Sequence, residues 1–80
     1  MNEELTRLIA VLEEVNDEID FASETALVDD GLLDSLELMK LIVALSDAYH
    51  VRINPGEVAP ENFNSVQAML ALVKGCPPLP

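Results

Sequence analysis

Apolar residues at steps of three and four leave this chain few folds to choose from. Leu5, Leu8, Ile9, Leu12, Val15 and Ile19 form one such stripe. Leu38, Leu41, Ile42, Leu45 and Tyr49 form a second, and Val66, Met69, Leu70 and Val73 a third. That recurrence is the signature of helices with one buried side. Each stripe is too narrow to hold its helix alone, so the three must pack on one another. With 80 residues the chain forms one domain, which buries about 60% of the surface its unfolded chain exposes. That suffices for one thin core and leaves little room for a deep enclosed active site. Half of the residues are apolar, so this is a folding sequence and not a disordered acidic tail. The aromatics are only Phe21, Tyr49 and Phe63, which makes the expected core aliphatic.

Local signals set the boundaries. The first helix is expected over about Asn2–Glu18, followed by a long connection, Asp20–Asp34, with scattered apolar residues (Phe21, Ala22, Ala26, Leu27, Val28). Loops of that length are usually functional or partly structured, and Gly31 supplies backbone freedom near its end. The second helix should begin at Asp34 or Ser35, with Asp34 as N-cap and Glu37 completing a capping box, and stop near Tyr49 or His50. Val51-Arg52-Ile53 reads as extended and Asn54-Pro55-Gly56 as a turn. Glu57–Asn62 fits a short helical turn interrupted or started by Pro60. Asn64 with Gln67 makes a second capping-box pattern. Gly75 is placed to end the last helix, and Pro77-Pro78 forbids its continuation. The expectation is an all-α fold: a small bundle of three longer helices and one short one, with a long loop between the first two. Residues 1–75 are read as one domain and 76–80 as a flexible tail.

Charge narrows the partners. Arg7, Lys40, Arg52 and Lys74 stand against fifteen acidic residues, a formal net charge of −11. Phosphate backbones and anionic membrane surfaces repel such a chain, so neither nucleic acid nor membrane insertion is expected. Basic protein patches are the natural partners, most strongly at low salt; acidity also keeps a small monomeric domain soluble. The single cysteine, Cys76, has no internal disulfide partner, which fits a reducing compartment. No signal peptide or transmembrane span is evident, since Met1–Thr6 is acidic and Leu36–Leu45 is broken by Glu37 and Lys40. A cytoplasmic protein is expected.

Gly31-Leu32-Leu33-Asp34-Ser35-Leu36 resembles the attachment motif of acyl carrier proteins and their relatives. The resemblance extends over the first helix, the long loop, Asp34-Ser35-Leu36 at the start of helix two, the Tyr49–Ile53 exit and Asn64-Ser65-Val66-Gln67. It implies a four-helix bundle of acyl-carrier type. It also implies that Ser35, flanked by Asp34 and Leu36, is esterified to 4′-phosphopantetheine from coenzyme A, whose thiol carries an acyl, aminoacyl or peptidyl group as a thioester. The implied partners are a phosphopantetheinyl transferase, an acyl- or aminoacyl-loading ligase, and downstream acyltransferase or synthase enzymes, with no turnover by the chain itself. The physics is compatible: a phosphodiester in the first helical turn meets the positive end of the helix dipole. Taken alone, Asp34-Ser35 is an ordinary helix cap.

Other chemistries fit less well. A nucleophilic serine needs a general base within hydrogen-bond reach, but the only histidine, His50, lies fifteen positions along the same helix, roughly 20 Å away at ~1.5 Å per residue. His50 suits the negative end of a helix instead. A calcium loop starting at Asp29 puts Gly31 third, Leu33 fifth and Lys40 where the bidentate glutamate belongs, so no metal is expected, and Asp29, Asp30 and Asp34 read as a solvated cluster. Cys76 reads as an exposed tail thiol.

With the helix-two core stripe assigned, Leu36, Met39, Lys40, Val43, Ser46 and Asp47 fall on the opposite side. Apolar residues in a row facing water beside the serine call for an explanation. By resemblance this is a partner-docking face, comprising Leu36, Glu37, Met39, Lys40, Val43 and Asp47. Carriers of fatty-acid synthesis usually bear a run of acids here, whereas this chain has Lys40 and Ser46. A discrete acyl carrier of a specialised lipid, polyketide or related pathway is therefore expected. The Gly31–Ser35 run is also similar to aminoacyl and D-alanyl carriers, and a helical adaptor without a prosthetic group is the remaining alternative. Leu38, Ile42, Val66 and Met69 could line an acyl-sheltering cleft but read first as core.

Overall fold

The computed structural model describes residues 3–80, apart from the side chain of Pro55. Its four α-helices are α1 (Glu3–Val15), α2 (Ser35–Tyr49), α3 (Pro60–Phe63) and α4 (Val66–Gly75), with a 3₁₀ turn over Pro55–Glu57. Helix α1 packs against α2 and α4, and α3 against α4. The expected all-α bundle of three longer helices and one short is what forms. The radius of gyration is 11.4 Å, against about 11.6 Å for a compact domain of this length.

Helix α1 buries Leu8 and Leu12, one turn apart, with Glu3 and Glu4 favourably placed in its first turn. It stops at Val15, short of the expected Glu18; Asn2 lies outside the described residues. The early stop has a local cause. The Asn16 side chain turns back to accept a hydrogen bond from the Glu18 N–H at 2.9 Å, an Asx-type alternative to helix. Asp17 and Glu18 would also sit at the negative end of the helix dipole.

Three anchors hold the connection from α1 to α2: Phe21, Leu27 and Leu33 are all buried. Gly31 turns the chain just before α2 with φ +77°, a conformation that favours glycine. The core joins these anchors to Leu8, Leu12, Leu41, Leu45, Val51, Phe63, Val66, Met69, Val73 and Cys76. It is mainly aliphatic, yet both phenylalanines lie at its centre. Val66 and Met69 are fully enclosed, while Leu38 and Ile42 are partly buried against the core.

The exit of α2 turns on Ser46. The backbone N–H groups of His50 and Val51 both donate to the Ser46 carbonyl, and the Ser46 hydroxyl donates to the Val51 carbonyl at 2.7 Å. His50 closes the helix at φ +52°, a left-handed conformation uncommon outside glycine. Farther on, Pro60 opens α3, as suits a residue without an N–H. The cap of α4 is Ser65, whose hydroxyl accepts from the Ala68 N–H at 3.1 Å. The expected Asn64–Gln67 box is therefore shifted by one residue, and Asn64 serves another purpose.

The C-terminal segment differs from the flexible tail expected over 76–80. Arg52 N–H donates to the Pro77 carbonyl and Leu79 N–H to the His50 carbonyl, each at 2.9 Å, with an antiparallel bridge between Val51 and Pro78. The extended Val51–Ile53 segment was legible; that it supplies an edge to which the tail can pair was not. Cys76, expected to be exposed, is buried as part of the core.

Candidate functional site

Ser35 is the first residue of α2 and is exposed. Its position is fixed by Asp34, whose backbone is extended at φ −86° and ψ −179° and whose Oδ1 accepts from the Glu37 N–H at 2.8 Å. The first N–H groups of a helix lack intrahelical partners. Asp34 satisfies one, and the others lie beside the Ser35 hydroxyl at the positive end of the dipole. Glu37 does not complete the expected capping box in full: its Oε2 is buried with no hydrogen-bond partner. It lines a recess with Glu13, Glu14, Asp17 and Glu18. This half-buried position takes Glu37 off the exposed face on which it was expected.

Along α2 from Ser35, Leu36, Met39 and Val43 are 61%, 63% and 61% exposed. Together with Lys40 and Ala44 they line a shallow hollow. Asp47 is exposed farther along, beside a second hollow formed with Ile42, Val43, Arg52, Ile53 and Leu79. Ser46 is half-buried and turned inward to Val51.

His50 caps the far end of α2, about 22 Å from Ser35 at ~1.5 Å per residue, so it cannot activate that hydroxyl. Asp29, Asp30 and Asp34 are all exposed, and among the described residues no three metal-ligating side chains converge. Near His50, the Arg7 guanidinium lies 4.8 Å from the centre of the Tyr49 ring and donates to the Ala48 carbonyl at 3.1 Å. Burial pushes the Tyr49 phenol up, with Arg7 pulling it down and Glu4 adding to the rise. Burial likewise raises the Cys76 thiol, helped by Glu57, whose Oε2 accepts from Sγ at 3.7 Å.

Sequence reasoning missed Asn64. Its Oδ1 accepts from the backbone N–H groups of Val28, at 2.9 Å, and Asp29, at 3.0 Å. Its Nδ2 donates to Asp29 Oδ2 at 3.0 Å. Its carbonyl accepts from the Leu27 N–H at 3.0 Å. One signal was present: Asn64 and Ser65 are adjacent and both suited to capping, but a helix start takes only one N-cap, which frees the other.

No helix of the described residues is long and apolar enough to cross a membrane. Neither a curated protein nor a solved structure matches the chain. The family model described as "Phosphopantetheine attachment site" does match, over residues 3–73. That span takes in α1, the anchored loop, the capped serine and nearly all of α4, so the chain belongs to the phosphopantetheine attachment-site family and is a phosphopantetheine carrier protein, with covalent 4′-phosphopantetheine as its cofactor.

Proposed function

We propose that this chain carries acyl groups on a phosphopantetheine arm attached at Ser35, in a specialised lipid, polyketide or related pathway of the cytoplasm. The observation that carries this reading is the exposed Ser35 hydroxyl at the first position of α2.

The residues fit the group. The exposed hydroxyl is accessible for esterification, and the helix start offers N–H groups and a favourable dipole to a phosphodiester. When bound, the group supplies a thiol on a flexible arm, where cargo is held as a thioester. Asp34 fixes the register of the helix start, and Leu36 begins the apolar row leading away from it. With His50 at the far end of α2, the base that activates Ser35 belongs to the modifying enzyme. The chain thus acts as a carrier served by a phosphopantetheinyl transferase, a loading ligase and acyl-transferring partners.

Leu36, Met39 and Val43 form the centre of the surface these partners meet, with Lys40 and Asp47 at its rim. The specialised setting rests on Lys40 and Ser46. The Ser46 hydroxyl donates to the Val51 carbonyl, a bond that a carboxylate cannot make. The Gly31–Ser35 run supports an aminoacyl carrier as the second reading, and loading by an amino-acid-adenylating enzyme instead of an acyl ligase separates the two.

Incubation with coenzyme A and a phosphopantetheinyl transferase is expected to add the mass of one phosphopantetheine, and Ser35→Ala to abolish the gain. No gain with several competent transferases would overturn the reading. A helical adaptor without a prosthetic group predicts the opposite pattern in cells: Ser35→Ala tolerated and Met39→Asp lethal to function.

A further inference from the structure

We infer that Asn64 is a positioning residue for modification at Ser35, acting through the loop that delivers the serine; this rests on the reading of Ser35 given above. Asn64 follows α3 directly, at the junction with α4, and lies 29 positions beyond Ser35 in the sequence (64 − 35). Nonetheless, it and its backbone hold three consecutive residues of the approach loop. Leu27 N–H binds its carbonyl, Val28 and Asp29 N–H share its Oδ1, and the Asp29 carboxylate takes its Nδ2.

The grip extends to the site through a short chain of contacts. Leu27, itself fully buried, accepts from the Leu33 N–H at 3.1 Å. Within that closure Gly31 N–H donates to the Val28 carbonyl and Gly31 makes its left-handed turn, while Asp30 N–H donates to the Ala26 carbonyl just outside it. Leu33 is buried in its turn and is followed by Asp34 and Ser35. Residues 27–33 thus form a closed loop, clamped at one end by Asn64 and delivering the N-cap at the other.

The side chain is specific to the task. An amide offers an acceptor and a donor on one rigid plane, and here the acceptor serves two backbone N–H groups while the donor serves a carboxylate. Aspartate would keep the acceptor but set a second negative charge against Asp29. Alanine would leave the half-buried Val28 N–H without its partner.

During modification the Ser35 Oγ–phosphorus bond forms as the pyrophosphate bond of coenzyme A breaks. Adenosine bisphosphate leaves, and the hydroxyl proton passes to the transferase. A loosened 28–32 segment beside the serine has to be ordered on each encounter, which raises the cost of binding. The expected signature is therefore in KM for the carrier, with kcat little changed.

The test measures transferase kinetics by mass, with amide hydrogen exchange on the same samples. Asn64→Asp is expected to speed exchange at Val28 and Asp29 and to raise KM about tenfold, with kcat within about twofold. The exchange variant Asp29→Asn/Asn64→Asp swaps donor and acceptor and is expected to restore both readouts. Asp29→Ala removes only the exposed side-chain partner and is expected to raise KM about threefold, which keeps the test open should Asn64→Asp not fold. A lowered melting temperature with unchanged KM, or an exchange variant that restores stability without restoring KM, overturns the positioning role alone. If the wild-type chain takes no group, the Ser35 reading fails first and this one with it.

Discussion

Asp34 decides where α2 begins, and so where Ser35 points. Its carboxylate satisfies an N–H that the helix cannot. Replacing an N-cap aspartate by alanine typically costs about 1 kcal/mol, and Asp34→Ala is expected to lose about that much in a urea melt while remaining folded. Because the first turn frays, modification of Ser35 should slow as well. Asp34 was readable from sequence because its bond is local, made three residues along the chain. Asn64 was not, since its partners Val28 and Asp29 are 36 and 35 residues away, and no local pattern reports such pairings. Local competition also explains the smaller differences. Asn16 ends α1 early by bonding Glu18, and Ser65 takes the cap at which Asn64 was expected.

Among the elements, helix periodicity was the most legible signal. It identified Leu41 and Leu45 as core and left Leu36, Met39 and Val43 facing water, as they do at over half exposure each. Glu37 sits on the border between the two faces: its Oε2 is buried, and it lines a recess with Glu13, Glu14, Asp17 and Glu18. The pairing of the tail was not legible, for a different reason. Pro77-Pro78 signals the end of a helix equally well for a free strand and a paired one, since proline carbonyls still accept hydrogen bonds. Deleting residues 77–80 removes two backbone hydrogen bonds, each worth about 1 kcal/mol net. A loss of about 2 kcal/mol in a denaturant melt is expected; unchanged stability would mean that the strap contributes nothing.

At the scale of the whole molecule, fifteen acids against four bases make the folded state repel itself. Few contacts offset this: the Lys74–Glu4 ion pair, at 2.6 Å, has both side chains more than half exposed and contributes little. Raising ionic strength from about 0.01 to 0.15 M shortens the screening length from about 30 to about 8 Å. The melting temperature is expected to rise over that range, and a scanning calorimeter would detect it. A fall would show that attractive pairs outweigh the general repulsion.

The burial of Cys76 bears on the security of the cargo. A thioester is open to attack by any available thiolate, and a carrier with a reactive cysteine of its own could take the acyl group off its arm. Here the one protein thiol is buried, and burial together with the Glu57 carboxylate pushes its pKa up. The raised pKa also fixes a sign: the stability it contributes is present below the unfolded thiol's pKa and is lost as pH climbs through the folded value. Iodoacetamide should therefore label Cys76 far more slowly in the native chain than in urea, and Cys76→Ala should flatten the loss of stability above about pH 8.5. Equal labelling rates in both states would mean that the thiol is not sheltered. On the carrier function proposed above, this burial would keep the cargo from being transferred to the chain's own cysteine.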